Sequence, residues 1–204
     1  MRWSVTLPSN STIDGNSQES DHGPLSQDAI MIRRLLYKIT AGRPCRLISR
    51  DGTPYLERYY IGQLLGFTAY LHRFVSGDGD QEVHDHPFRA LAICLAGGYR
   101  EERAILDPSC GWQQTYRIIF PGRINALGLR SFHRICSTQR DTWTLFIHGK
   151  RRKGWGFLRD VGIDEHCSHG HKLIEYHQPF PLTSRDWWID APKGRDAGRE
   201  KRAA

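Results

Sequence analysis

The chain has 204 residues, enough for one domain with a sizeable core, and 39% of them are hydrophobic and 11% aromatic. No run approaches the roughly 18 apolar residues of a membrane span, no basic-then-apolar leader opens the chain, and five irregularly spaced cysteines exclude a disulfide framework, so the expectation is a soluble, cytoplasmic protein. The net charge is +7; because residues 1–28 carry a net −3 and residues 191–204 a net +3, the excess sits on the body, where it suits an anionic substrate or partner.

Residues 1–28 are rich in Ser, Asn, Asp and Gly and offer little to bury, which predicts a disordered segment. One domain is expected over 29–191, followed by a disordered basic tail over 192–204. Within the domain the first element reads as a helix over about 27–39. Ser26 is placed to cap it, and Ile30, Leu35, Leu36 and Ile39 fall near one face. Strand-like runs follow at 67–75, 82–96, 99–106, 114–120, 131–136, 143–149 and 155–161, separated by the turn signals GDGD, GG, DPSCG, PGR and KRRKG. Many short strands at this spacing predict an antiparallel sandwich or barrel.

The chemistry-bearing stretch is EVHDHPFRALAICLAGGY, residues 82–99. If 82–96 is one strand, His84 and His86 share a face and Asp85 points away. Paired imidazoles are a natural start for a metal site, although such a pair alone is as often two satisfied histidines. The histidine face continues through Ala90, Ala92, Cys94 and Ala96, small enough to wall a cavity, while Leu91, Ile93 and Leu95 on the other face read as core. Read as a tight hairpin, Gly97–Gly98 sets Glu101 opposite Cys94, roughly 26 Å along the strand from His86 and out of reach. The same register sets Arg103 opposite Ala92, facing the cavity as an anion holder, with an exposed strand arginine as the plainer alternative. Tyr70, His72 and Phe74 share a face in the preceding strand, where Tyr70 and His72 are candidate acid/base residues or a core pair. The cluster His166, Cys167, His169 and His171 fits no zinc-finger spacing and reads as a surface loop, and KRRK (150–153) as a solvated hairpin tip.

These residues resemble the cupin superfamily. Its first motif runs from a glycine, bracketed here by Gly77 and Gly79, through a His-x-His pair at His84 and His86 to a closing glycine at Gly97 or Gly98. The motif's glutamate falls at Ala90 or Leu91, so that carboxylate is missing. The second motif resembles FPGRINALGLRSFHRI, with Pro121 and Gly122 in the turn, Gly128 near the strand start, His133 as the third histidine, and Ser137 where an asparagine is usual. The resemblance spans about residues 67–149 and is nearest in kind to small bacterial and phage cupins. It implies an all-β jelly roll (double-stranded β-helix) with the short helix outside, and one divalent metal on His84, His86 and His133.

Three imidazoles without a carboxylate leave a doubly positive centre with open positions for an anionic substrate and dioxygen. The three-histidine cupins that resemble it include thiol and β-diketone-cleaving dioxygenases, which implies Fe(II), although Zn, Ni or Mn suits the same ligands. The expected function is therefore a mononuclear Fe(II) dioxygenase acting on a small polar or anionic molecule. Tyr70 and His72 would be catalytic, and Arg103 and Cys94 would contact substrate. The alternatives are a non-oxidative isomerase, cyclase or lyase, and a ligand-binding cupin without turnover. The 2-oxoglutarate oxygenases share the jelly roll but need an acid where His86 stands and an arginine where Trp143 stands. No membrane or nucleic-acid partner is expected, and a homodimer is compatible with the sequence.

Overall fold

The computed structural model describes residues 27–50, 52–75, 82–109, 111–163, 171–178 and 186–199. One helix, α1 (Gln27–Thr40), precedes twelve strands. These are β1 (Cys45–Arg50), β2 (Thr53–Leu64), β3 (Phe67–Phe74), β4 (Val83–His84), β5 (Ala90–Ala96) and β6 (Tyr99–Asp107), then β7 (Gly111–Ile119), β8 (Ile124–Leu127), β9 (Phe132–Thr138), β10 (Thr142–His148), β11 (Trp155–Ile163) and β12 (His171–Gln178). They form two six-stranded sheets, ordered β1-β2-β3-β10-β5-β8 and β12-β11-β4-β9-β6-β7, and each pairing is antiparallel. The fold is the expected antiparallel jelly roll with its short helix outside. Among the described residues no helix is long and apolar enough to cross a membrane.

Residues 82–96 are not one strand. Pro87 has no N–H and disfavours helical backbone at His86, so pairing breaks there and the chain crosses from β4 in the second sheet to β5 in the first. The Gly97–Gly98 turn is a second crossing, not a hairpin, because it joins β5 to β6 in the opposite sheet. Gly97 takes φ +73°, and a Cβ there would lie 2.8 Å from the Thr142 Cα.

The inner face of the first sheet buries Tyr70, Ala90, Ala92, Leu127 and Phe146. The small side chains of β5 are therefore the buried ones, and Leu91, expected in the core, is exposed. Farther along β5, a register shift at Trp143/Thr144 puts Ala96 into a separate cluster with Cys45, Tyr59, Leu71 and Trp143. Leu36 and Tyr37 of α1 cover that cluster. The helix is rotated from its predicted setting: Arg33, Leu36, Tyr37 and Thr40 face inward, while Leu35 and Ile39 are exposed.

Beside this cluster lies a buried ionic group, Arg73 with Glu57 (2.9 Å) and Asp141, and Tyr59 donating to Glu57. Because unpaired charges in such a place are costly, this pairing explains how three ionisable side chains tolerate burial.

The expected tail also differs. Cys45 N–H donates to Pro192 O, Gly194 N–H to Arg43 O, and Arg199 stacks over the Tyr37 ring and donates to Tyr37 O, so residues 192–199 are packed rather than disordered. The segment expected to be disordered over 1–28 lies almost wholly outside the described residues, as does the loop holding His166, Cys167 and His169.

Candidate metal centre

The crossing loop and two strands of the second sheet bring the three predicted histidines together. His84 ends β4, His133 lies opposite it in register on β9, and His86 follows two residues later in the crossing. One ring nitrogen of each lies within 4.8 Å of the others, and the Nε2 atoms of His86 and His133 stand 2.9 Å apart. Two nitrogens at right angles about one ion, each about 2.0–2.1 Å from it, would be separated by about that distance.

The tautomers suit metal binding. His84 Nδ1–H donates to Glu82 O (3.1 Å) and His133 Nδ1–H to Glu101 Oε1 (2.7 Å), leaving each Nε2 lone pair free. His86 Nδ1 is buried without a partner, so the ring is oriented by packing against Phe88 and Trp155. Burial, reinforced by the neighbouring imidazoles, lowers His84 to about 3 and His86 well below its ordinary value. His84 and His86 are thereby held neutral at physiological pH, the form a cation takes.

Glu101 is the residue that the strand arithmetic wrongly set out of range. It is fully buried on β6, and β6 pairs with β9, the strand of His133. Oε1 accepts from His133 Nδ1–H and from Asn125 Nδ2 (2.8 Å), and Oε2 from Arg103 Nε (2.9 Å) and Arg117 Nη2 (3.1 Å). Burial alone would raise its carboxyl; His133 and Arg103 outweigh that and hold it at about 2. Asp85, turned away from the cluster, is also buried, accepting from Gly156 N–H (2.8 Å) and pairing with Lys153. The basic run at 150–153 is thus partly tied down: Lys153 anchors the loop after β10 beneath the crossing.

The cluster opens into a cavity of about 1150 Å3 between the sheets, walled by Phe88, Phe146, Trp155, Phe157, Trp187 and Trp188. Tyr70 and His72 line it. His72 Nε2 accepts from Arg58 Nε–H (3.1 Å), and burial drives its pKa well down. Burial pushes the Tyr70 phenol up, against a hydrogen bond from Trp187. Arg103 and Cys94 do not line this cavity. Arg103 stands behind His133, bonded to Glu101, Asn125 and Ala126 O, because β6 is in the other sheet from β5. Cys94 is buried as a free thiol among Tyr99, Ile119 and Ile135.

No family model matches the chain, and no curated protein matches it in sequence. Solved structures do match in fold. A putative mannose-6-phosphate isomerase from Ralstonia eutropha JMP134 is 16% identical over 50% of this chain and 90% of its own, with a TM-score of 0.40. The HEPD of Streptomyces albus, with 2-hydroxyethylphosphonate and Fe(II) bound, is 13% identical over 52% of this chain and 24% of its own (TM-score 0.41). The DMSP lyase DddQ from Ruegeria pomeroyi is 18% identical over 65% of this chain and 68% of its own (TM-score 0.45). These are cupin-fold structures, and at such identities the likeness is one of fold alone.

Proposed function

We propose that this jelly roll is a metal-dependent enzyme acting on a small anionic molecule, and that its reaction is an oxygenation at a ferrous centre held by His84, His86 and His133. The observation behind this reading is the convergence of three imidazoles, with no carboxylate among them, at the floor of an aromatic-walled cavity. A ferrous ion bound there would supply redox chemistry toward dioxygen. The chain's own part is to orient the ligands through Glu82 O and Glu101, to exclude bulk water with Phe146, Trp155 and Phe157, and to present Tyr70 and His72 to the substrate.

Oxygenation is favoured over acid/base chemistry by the state of the cavity's titratable groups. His72 and His148 are held neutral by burial and are weak bases, while Tyr70 keeps its proton. A reaction that begins with strong-base proton abstraction has no group poised for it among the described lining residues. Tyr70 and His72 are proposed instead as hydrogen-bonding residues that steer substrate.

The test is metal analysis of protein purified anaerobically, followed by oxygen-electrode assays with thiol, diketone and amino-acid substrates. About one iron per chain and substrate-dependent oxygen uptake are expected. His133→Ala should lose most of the metal while keeping its fold, because two imidazoles hold a divalent ion poorly. Product formation without oxygen uptake would select a non-oxidative isomerase or lyase instead, and full metal retention in the His133 variant would remove this centre from consideration.

A further inference from the structure

One interior cation lacks the carboxylate its counterparts have. Arg73 is matched by Glu57 and Asp141, Arg103 by Glu101, Arg134 by Glu102 and Lys153 by Asp85, while buried Arg33 lies near Asp141. Arg58 on β2, half-buried in the cavity wall, has no ion pair among the described residues. Its neighbours are His72, which takes its Nε–H, the Tyr70 ring 5.5 Å away, and a second cation, Arg46.

The sheet register explains the arrangement. Arg46, Arg58, His72 and Thr144 are successive cross-strand partners on β1, β2, β3 and β10. Arg46, Arg58 and His72 line the same cavity as the three-histidine cluster. Like charges directly opposite each other on neighbouring strands are destabilising, and among the described residues no acid pairs with either arginine. Asp186, a carboxylate on the cavity lining, is exposed and forms no ion pair with either arginine. His72 engages Nε, and Nη1 and Nη2 of Arg58 make no hydrogen bond among the described residues, which leaves a planar pair of donors that matches two oxygens of one anion.

We infer that Arg58, assisted by Arg46 and oriented by His72, is an oxyanion-binding subsite that holds the carboxylate or phosphate-type end of the substrate. The inference rests on the proposed function for the word substrate, but the binding itself needs no metal. Burial of Arg58, which lowers its pKa, also makes a bound anion worth more there than at the surface. Arg46, exposed at the rim, would draw the anion in, and the aromatic walls would enclose the remainder of the molecule.

Calorimetric titration with methylphosphonate and with propionate, on both metal-loaded and chelator-treated protein at low ionic strength, tests this and distinguishes the two anion chemistries. At least one probe should bind in both preparations. Arg58→Met should weaken it by about 10–100-fold, the loss of charged hydrogen bonds, with metal content unchanged. Arg58→Lys should recover part of the affinity, since it restores charge without the fork. Arg46→Met should have a smaller effect in the same direction, and the exposed Arg123→Met none. If Arg58→Met does not fold, the Lys and Arg46 variants decide: wild-type affinity in both overturns the subsite. Failure of both probes to bind wild-type protein also overturns it. Anion binding that depends on Arg58 in a chain that takes up no metal would support the subsite while refuting the metal-enzyme reading.

Discussion

At the scale of single residues, the centre depends on how His133 is held. A ligating imidazole is tuned by the acceptor on its other nitrogen, and here that acceptor is a carboxylate whose two oxygens already take four donors. Glu101→Gln substitutes an NH2 group for one of those oxygens and removes the charge facing His133. The expected result is a loss of about 10–100-fold in metal affinity, measured by competition with a chelator, in protein whose circular dichroism shows that it still folds. Unchanged affinity would mean that Glu101 serves only Arg103 and Arg117. His84 and His86 were legible in the sequence because their spacing is local, and His133, 47 residues after His86, through the second motif. Glu101 was not, because its role depends on which sheet β6 joins, and a glycine pair has the same signature in a hairpin as in a crossing.

That crossing is the element on which the site's geometry turns. At Gly97 two constraints coincide, a left-handed φ of +73° and a Cβ position 2.8 Å from backbone of Thr142 on β10. Gly97→Ala should therefore lower stability by about 2–4 kcal/mol, read from the urea midpoint; a change below half a kcal/mol would show that the turn can relax. Strands β3, β5, β6, β7, β9, β10 and β11 were legible from turn residues and apolar runs. Strands β1 and β2 were hidden because their faces carry Arg46, Glu57 and Arg58, charges used by the cavity wall on one side and the Arg73 network on the other. The end of the domain was misjudged for a related reason. PKGRDAGR looks like a solvated tail, yet a Cβ on Gly194 would stand 2.4 Å from Thr40 O and 2.9 Å from the Tyr59 ring. Gly194→Ala should displace residues 192–199, exposing Lys193 and Arg195 to early trypsin cleavage at a rate that wild type does not show.

Across the whole molecule, the cavity sets the dependence of stability on pH. His72 is buried and its pKa lies well below 6.5, the ordinary value it regains on unfolding; His84, at about 3, and His86 behave alike. Between the folded and unfolded values the unfolded chain binds more protons, so stability rises with pH in that window. The contribution is fully present above about pH 6.5 and is lost as pH falls. Each such histidine adds a slope of up to about 1.4 kcal/mol per pH unit. Carboxylates with ordinary values near 4.5 add little between pH 6.5 and 5.5, which isolates the histidines. Chelator-treated protein should therefore show a urea midpoint that falls steadily over this range. His72→Gln should flatten that fall by one histidine's share, whatever it does to the midpoint at pH 7.5. The slope measures proton uptake on unfolding and is blind to changes in packing. An unaltered slope in the variant, or a flat profile in the wild type, would mean that His72 is protonated in the folded protein and that the cavity is wetter than its aromatic walls indicate.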